Sequence, residues 1–199
     1  EIRKDYLRGE IIETIYLGGG TPSQLSQEEL TQIFTYIYKV YQVKEDAEIT
    51  LETNPDDLTA EYVNTLRQLP INRISMGIQT FQEDTLKILN RRHTAQQAIE
   101  AFQRCREASF DNISIDLMYG LPGETLETWK ADLQQAIKLH PEHISAYHLI
   151  YEEGTVLWKL KEQHKVEEAD EDLSLSLFST LIDEFTQAGY QHYEISNFS

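Results

Sequence analysis

The sequence of 199 residues has few cysteines, few basic residues and no long apolar segment. Cys105 is the single cysteine, so no disulfide can form within the chain and a reducing, cytoplasmic location is expected. No apolar run approaches the ~18 residues that a membrane-spanning helix needs. Residues 1–10 are mostly polar and charged, which argues against a signal peptide.

The shortage of positive charge limits the possible partners. Lysine and arginine number 17 against 34 aspartates and glutamates, which gives a net charge of −17 at pH 7. Such a chain repels the phosphates of nucleic acids and the head groups of anionic lipids. We therefore expect neither nucleic acid nor an anionic membrane surface as a partner.

The one cysteine lies in a helical pattern. Ala98, Ile99 and Phe102 precede Cys105 at the spacing of one helix face. A thiol in that setting is expected to behave as a small buried hydrophobic group and not as a reactive nucleophile.

Against these absences, three consecutive glycines stand out. The apolar segment Ile11–Leu17 runs directly into Gly18, Gly19 and Gly20, and Thr21 and Pro22 follow. Glycines leave the main chain uncovered and adopt positive φ without steric cost, while the proline keeps the preceding residue extended. An open but stiff loop of this kind favours a ligand-binding loop over a structural bend.

Short β-rich segments alternate with helical ones along the chain. The predicted strands are Ile11–Leu17, Glu48–Glu52, Arg73–Ile78, Asn112–Leu117, His143–His148 and Tyr190–Ile195. The predicted helices are Gln27–Tyr41, Ala60–Leu69, Glu83–Leu89, Ala95–Ser109, Leu126–Leu139 and about Glu168 to Ala188, with Ser26 and Thr59 as start signals. This alternation predicts βαβ units and a parallel sheet.

Polar groups at the strand ends distinguish between two parallel architectures. Glu52, Gln79 and Asp116 each end a predicted strand, and Gly18–Gly20 follow the first one. In a (β/α) barrel the carboxyl ends of the strands converge on one mouth, whereas an open sheet spreads them along an edge. The pattern favours a barrel or partial barrel, with a doubly wound open sheet as the alternative.

These segments together resemble a known family. The glycine loop, Glu52-Thr53-Asn54-Pro55, Ser75–Phe81, Asn90–His93 and Ile115–Gly123 occur in the order typical of radical S-adenosylmethionine (SAM) enzymes of the oxygen-independent coproporphyrinogen III oxidase type. Within that group the chain most resembles the heme chaperone branch. The resemblance covers essentially the whole chain.

The resemblance implies a SAM site at named positions. Gly19, Gly20 and Thr21 match the loop whose main chain meets the methionine end of SAM. Glu52 matches the acidic residue beside the amino group, although a strand-end glutamate alone caps a helix about as often.

Three further residues match the remaining contacts of that site. Gln79 and Asp116 match the residues that hydrogen-bond the ribose hydroxyls, for which an amide and a carboxylate are suitable acceptors. Arg91 matches the arginine that pairs with the SAM carboxylate through its two-pronged guanidinium. Without the resemblance, Arg91 would be interpreted as a solvated cation at a helix end and could not be told from Arg92.

The chain departs from the family in one respect. The family holds a [4Fe–4S] cluster through Cys-x-x-x-Cys-x-x-Cys, and no such motif is present, so no residue of this chain is expected to bind the metal. Because the sequence begins with Glu1, we expect a fragment: residues 1–199 as the core of a partial (β/α)6-type TIM-like barrel, inactive alone, without its first cluster-bearing βα unit and without a C-terminal domain. A family member that has lost its cluster is the alternative.

Two functions follow from the resemblance. The first is a heme chaperone that binds heme and transfers it to apo-proteins with the support of SAM and the cluster. The second is a coproporphyrinogen III oxidase, in which the 5′-deoxyadenosyl radical from SAM abstracts a propionate hydrogen and protoporphyrinogen IX results. Tyr147–Thr155, Tyr193–Phe198 and His93 resemble the chaperone branch. A cluster-free module that binds a nucleotide or small anion is a third hypothesis.

The six histidines show no metal-binding spacing. They are scattered, so that a surface or buried structural role is expected for most of them. Tyr147 and His148 are the exceptions, because they end a predicted strand and are expected to face the mouth of the barrel.

Overall fold

The computed structural model of the protein describes residues 6–7 and 9–199; residues 1–5 and 8, part of the segment that argued against a signal peptide, lie outside it. The strands of the described chain are β1 (Ile12–Leu17), β2 (Val43–Thr53), β3 (Arg73–Gln79), β4 (Ile113–Tyr119), β5 (His143–His148), β6 (His192–Glu194) and β7 (Asn197–Phe198). The α-helices are α1 (Gln27–Val40), α2 (Ala60–Leu66), α3 (Glu83–Ile88), α4 (Ala95–Glu107), α5 (Leu126–Leu139), α6 (Val156–Glu162) and α7 (Glu171–Gln187). Within this part no helix combines the length and the apolar content needed to cross a bilayer.

The strands form one sheet in the order β1-β2-β3-β4-β5-β7-β6. The first five pair in parallel with their sequence neighbours, and the helices connect them. The sheet curls into half of a barrel, which confirms the predicted partial (β/α) barrel over the doubly wound alternative. The carboxyl ends of β1 to β5 therefore lie at one edge, as the polar residues at the predicted strand ends indicated.

The end of the chain differs from the prediction of one strand at Tyr190–Ile195. The chain turns back at Ile195 and Ser196, so that β6 and β7 form an antiparallel hairpin, and β7 also pairs antiparallel with β5. Two antiparallel pairings make β6 run in the same direction as β5. The strand that follows α7, β6, therefore runs in the expected direction. It does not pair with β5, however, because β7 lies between the two strands.

Alternation along the strands separates two faces of the sheet. In β4, Ile113, Ile115 and Leu117 are fully buried against the helices, whereas Ser114 and Asp116 point to the inner, concave face. The helices contribute the other half of the core, with Phe34, Phe102, Trp129, Leu177 and Phe185 among its largest members. Cys105 lies fully buried in this core on α4, as predicted, and burial raises the pKa of its thiol to about 12.

Side-chain caps fix several helix starts at the predicted places. Ser26 accepts from Glu29 N and Glu29 accepts from Ser26 N, which is a capping box, and Thr59 caps α2 through Tyr62 N. The short helix α6 was not predicted. It lies over the end of the sheet, where Leu157 and Trp158 pack against Leu121, Leu149 and Tyr151 in a second, smaller apolar cluster.

Candidate functional site

A cavity of about 180 Å³ lies on the inner face at the carboxyl ends of the strands. It is enclosed by the loop after β1, the ends of β2 and β3, the middle of β4 and the loop before α4. The predicted site residues among its lining are Gly20, Thr21, Glu52, Gln79, Arg91 and Asp116. Five separate segments of the chain therefore supply one small polar cavity.

The glycine loop and Glu52 form one wall of the cavity. Gly19 N donates to Glu52 Oε2 over 3.0 Å, and Tyr16 Oη donates to Glu52 Oε1 over 2.8 Å. A Cβ on Gly18 would lie 2.6 Å from the Tyr16 ring and 2.9 Å from the Glu52 carboxyl carbon, so a side chain there would have to displace these two groups. Gly19 and Gly20 have φ of 79° and 63°, which side chains other than glycine rarely adopt. The loop thus orients Glu52, and the Gly19 N–H is directed at that carboxylate.

Tyr16 is a site residue that the sequence analysis missed. Tyr16 lies on β1 and Gly18 directly follows that strand, so the two residues are two positions apart and lie on the same side. This spacing was the available signal. Burial, and then the hydrogen bond and negative charge of Glu52, raise the pKa of the phenol to about 12, so that Tyr16 remains a hydrogen-bond donor to Glu52 at neutral pH.

The two neighbouring arginines are placed differently. Arg91 Nη2 donates to Asn54 Oδ1 and to Gly77 O, each over 2.8 Å, with its guanidinium at the cavity. Arg92 Nη2 instead pairs with Asp56 and Asp57 at 2.9 and 3.0 Å, away from the lining. Among the described residues the hydrogen-bond partners of Arg91 are neutral oxygens, which leaves its charge available to an anionic group in the cavity.

Asp57 connects the Arg92 ion pair to the glycine loop. Ser23 Oγ donates to Asp57 Oδ2 over 2.6 Å, and Gln24 Nε2 also donates to this carboxylate. The short helical turn that follows the loop is therefore tied to the turn after β2. The sequence does not predict this contact, because no local pattern relates residues more than 30 positions apart.

Gly77 lies where Gln79 and Arg91 converge. A Cβ on Gly77 would be 2.9 Å from Gln79 Nε2 and 3.4 Å from Arg91 Nη2. Gln79 itself has φ of 73°, and the pairing of β3 with β4 shifts register between Gly77 and Gln79. This β-bulge turns the Gln79 side chain back over the strand and into the cavity.

Asp116 faces Gly77 from β4 across the ladder. Burial raises the pKa of its carboxyl to about 6, and the nearby negative charge of Glu52 adds to the shift. The Ser145 hydroxyl and the Arg73 charge oppose the increase. Asp116 is thus ionised at neutral pH in a setting that favours a hydrogen-bond donor or a positive charge beside it.

Tyr147 and His148, the two residues at the end of β5 that were expected to face the mouth of the barrel, lie on opposite faces of the sheet. Tyr147 is paired with Met118 and shares the inner face with Asp116. His148 is paired with Tyr119 and faces the helices, where its Nε2 lies 3.0 Å from Ser174 Oγ. The expectation that His148 faces the mouth is therefore wrong, because successive strand residues point to opposite sides of the sheet.

The arrangement suits a ligand that carries an amino acid group and a diol. A carboxylate such as Glu52 suits an ammonium group, and the Arg91 guanidinium suits a carboxylate. Gln79 and Asp116 offer acceptors to adjacent hydroxyls. An iron–sulfur cluster does not fit this chain, because Cys105 is its one cysteine and no group of three potential metal ligands occurs in the described residues.

The fold and the cavity together define a (β/α)-barrel protein with a polar ligand site at the carboxyl ends of its strands. The model of the Radical SAM superfamily matches residues 1–136, which is more than half of the chain. The chain therefore belongs to the Radical SAM superfamily.

Individual relatives are consistent with this assignment. The heme chaperone HemW of Lactococcus lactis is 39% identical over 189 residues, which cover 95% of this chain and 50% of that protein. HemW of Bacillus subtilis is 38% identical over 94% of this chain and 50% of its own length. The chain thus spans about half the length of the curated relatives that it matches.

Solved structures give the same architecture. The coproporphyrinogen III oxidase HemN of Escherichia coli superimposes with a TM-score of 0.86 and 26% identity over all of this chain and 45% of that one. The Elp3 protein of Methanocaldococcus infernus has a TM-score of 0.73 at 20% identity, over 90% of this chain and 47% of that one. The second likeness concerns the fold alone.

Proposed function

We propose that the cavity binds SAM, with each polar group assigned to one part of the molecule. Glu52 holds the ammonium group, Arg91 the carboxylate, and Gln79 and Asp116 the ribose hydroxyls, while Gly19, Gly20 and Thr21 border the methionine end. The single observation that supports this most is the convergence of an oriented carboxylate, a guanidinium without an acidic hydrogen-bond partner, and two ribose-compatible acceptors in one cavity.

The chain's own residues bind and orient the ligand in this proposal. Because Gly77 has no side chain, the Gln79 amide and the Arg91 guanidinium can lie over the strand at the cavity. Above pH ~6 Asp116 is ionised and accepts from ribose hydroxyls. In the whole protein, a [4Fe–4S] cluster held by residues outside this chain would supply the electron that cleaves SAM bound in this cavity.

We propose that residues 1–199 form the core barrel of a longer protein. Relatives of about twice the length support this, as does the lack of three thiolates in the chain. The cluster cysteines and a further domain then belong to other parts of the protein. The chain alone is expected to bind SAM weakly and to be catalytically inactive.

We propose that the whole protein is a heme chaperone. The similarity to HemW proteins over almost the whole chain supports this function. Heme is then the cargo and heme-accepting apo-proteins are the recipients. A cytoplasmic location is consistent with the single buried cysteine, and the net charge of −17 argues against nucleic acid as a partner.

Coproporphyrinogen III oxidation is the second candidate. It is favoured by one observation, the TM-score of 0.86 with HemN at 26% identity. The SAM site cannot separate the two functions, because both need the same cofactor contacts.

One experiment separates the candidates. The complete gene product is reconstituted anaerobically and supplied with coproporphyrinogen III, SAM and a reductant, and loss of carboxylate groups is followed by mass spectrometry. In parallel, heme-loaded protein is mixed with an apo-protein and heme transfer is followed by absorbance. Transfer without decarboxylation supports the chaperone, and protoporphyrinogen formed over many turnovers overturns it.

A third hypothesis, a cluster-free binding module, is tested with the same material. SAM affinity is measured with and without the reconstituted cluster. Equal affinity in both forms favours the module, whereas much weaker binding without the cluster supports the radical SAM proposal.

A further inference from the structure

A buried carboxylate on α5 holds the loop that follows β3. Asp132 is fully buried and accepts three hydrogen bonds from consecutive residues of that loop. Thr80 Oγ1 donates to Oδ2, while Phe81 N and Gln82 Nε2 donate to Oδ1 over 3.1 and 2.8 Å. Both oxygens of one side chain thus serve three residues in a row.

The position of Asp132 is unusual for a carboxylate. It lies on the packing face of α5 with Trp129, Leu133 and Ala136, where an apolar residue would contribute to the core. No cation pairs with it among the described residues. Burial raises the pKa of its carboxyl, and the bonds from Thr80, Gln82 and Phe81 oppose that increase. Burying a charge destabilises a fold, and here the three hydrogen bonds to Asp132 offset that cost.

The loop that Asp132 holds begins directly after Gln79. Gln79 has φ of 73°, a conformation that a glutamine adopts only when its surroundings enforce it. On its other side, Arg91 Nη2 donates to Gly77 O, and His93 Nε2 lies 3.1 Å from Ile78 O. The bulged residue is therefore held from both sides, and Asp132 provides the hold on the downstream side.

We propose that Asp132 is a positioning residue that fixes the Gln79 side chain in the ligand cavity. It does not line the cavity and acts through residues 80–82, which it holds by two side-chain donors and one backbone N–H. The inference rests on the proposed function, in which Gln79 contacts the SAM ribose. It adds to that function a residue on a helix that the motifs did not single out.

Two substitutions of Asp132 separate its acceptors from its volume. Asp132→Leu fills the space without any acceptor, and Asp132→Asn keeps one oxygen for Phe81 N and Gln82 Nε2. In the reconstituted complete protein, we expect Asp132→Leu to weaken SAM binding on the order of 10- to 100-fold. Asp132→Asn is expected to stay within roughly threefold of the wild type, since it keeps two of the three bonds. Isothermal titration calorimetry measures both.

A double-mutant cycle with Gln79→Ala tests the route of the effect. If Asp132 acts through Gln79, Asp132→Leu has little further effect on SAM affinity once Gln79 is alanine. Leu133→Ala on the same buried helix face is the control, because it lowers stability and removes no hydrogen bond to the loop. It should leave the affinity of the folded protein unchanged.

The outcomes are distinguishable. Wild-type affinity in Asp132→Leu, or equal losses in the presence and absence of the Gln79 side chain, overturns the positioning role and leaves the SAM proposal standing. A wild-type protein that binds no SAM overturns both.

Discussion

The two faces of β4 differ in their environment and in their effect on stability. Ile113, Ile115 and Leu117 face the helices and are completely buried in the main apolar core. Asp116, one position from Ile115, faces the cavity with a pKa raised to about 6. One face gains stability from burial, and the other holds a carboxylate in an environment that disfavours its charge.

The same division holds across the sheet and explains where the site can be. Ile49 and Leu51 on β2 and Met76 on β3 belong to the core face, while Glu52 and Gly77 lie on the cavity side. Because stability comes from one face, the other can carry polar groups that destabilise the fold. Functional residues that cost stability are common in enzymes and binding proteins. Substitutions of adjacent residues on the two faces should therefore change the free energy of unfolding in opposite directions.

The largest effect is expected on the core face. Ile115→Ala should lower the free energy of unfolding by about 2–5 kcal/mol, because it leaves a cavity in a fully buried site. Urea unfolding followed by circular dichroism measures the change. Ser114→Ala on the other face is the control and should cost only about 1 kcal/mol, the value of its hydrogen bond with His143. Equal losses from the two variants would contradict the division between the faces.

The next effect compares the two arginines on the cavity side. Arg91→Ala should weaken SAM binding by about 1.5–3 kcal/mol, since it removes a charged hydrogen-bonding partner of the ligand carboxylate. Arg92→Ala removes two ion pairs, with Asp56 and Asp57, that lie away from the cavity lining and whose arginine is largely exposed, and should change SAM affinity by less than about 1 kcal/mol. Calorimetric titration of SAM into both variants of the reconstituted complete protein tests this difference, and a larger loss from Arg92→Ala would reverse the assignment.

The arginine pair also illustrates what the sequence could and could not predict. Strand alternation and the convergence of strand ends predicted the half-barrel, and they placed Glu52 and Gln79 at one edge. Asp116, predicted to end its strand, lies in the middle of β4, because that strand continues to Tyr119. Arg91 and Arg92 lie in the loop between α3 and α4, where no regular alternation separates two faces. Only the partners supplied by distant segments, Asn54 for one and Asp56 with Asp57 for the other, separate them.

Other features depended on tertiary contacts in the same way. The hairpin of β6 and β7 depends on the place that β7 finds beside β5, which the local β propensity of residues 190–195 does not encode. His148 was assigned to the wrong face, because a strand end was identified without counting its register against Asp116. Asp132 carries no motif, and its role appears only when α5 is packed on the loop after β3.

A third prediction reverses the sign of the first one. Asp116→Asn should raise the free energy of unfolding at pH 7–8 by about 1–3 kcal/mol, because it removes a buried charge whose pKa is raised to about 6. The pKa of this carboxyl is near 4 in the unfolded chain and about 6 in the folded protein. Between these two pH values, the folded state holds a proton that the unfolded state has lost. The wild type therefore loses stability as pH rises through this range, and the variant lacks this loss.

Unfolding curves from pH 4 to pH 8 check this prediction. The advantage of Asp116→Asn should be small at pH 4 and complete above pH 6, while its SAM affinity is lower than that of the wild type. A difference in stability that does not change with pH would mean that the Asp116 carboxyl is not held in the environment described.

The smallest effect tests whether Glu52 needs its phenol partner. Tyr16→Phe removes the hydroxyl that donates to Glu52 Oε1 over 2.8 Å and leaves the ring in place. Within the described part of the chain, Glu52 then keeps the Gly19 N–H as its hydrogen-bond donor. Its carboxylate is less firmly oriented toward the ligand ammonium, and SAM affinity should fall by about 0.5–1.5 kcal/mol. Tyr38→Phe on the exposed side of α1 is the matched control and should change nothing. Calorimetric titrations of the two variants at pH 7 measure the difference. Unchanged affinity in Tyr16→Phe would mean that the glycine loop alone orients Glu52. The inner face would then tolerate the loss of a hydrogen-bond partner, whereas the core face does not tolerate the loss of a packed side chain.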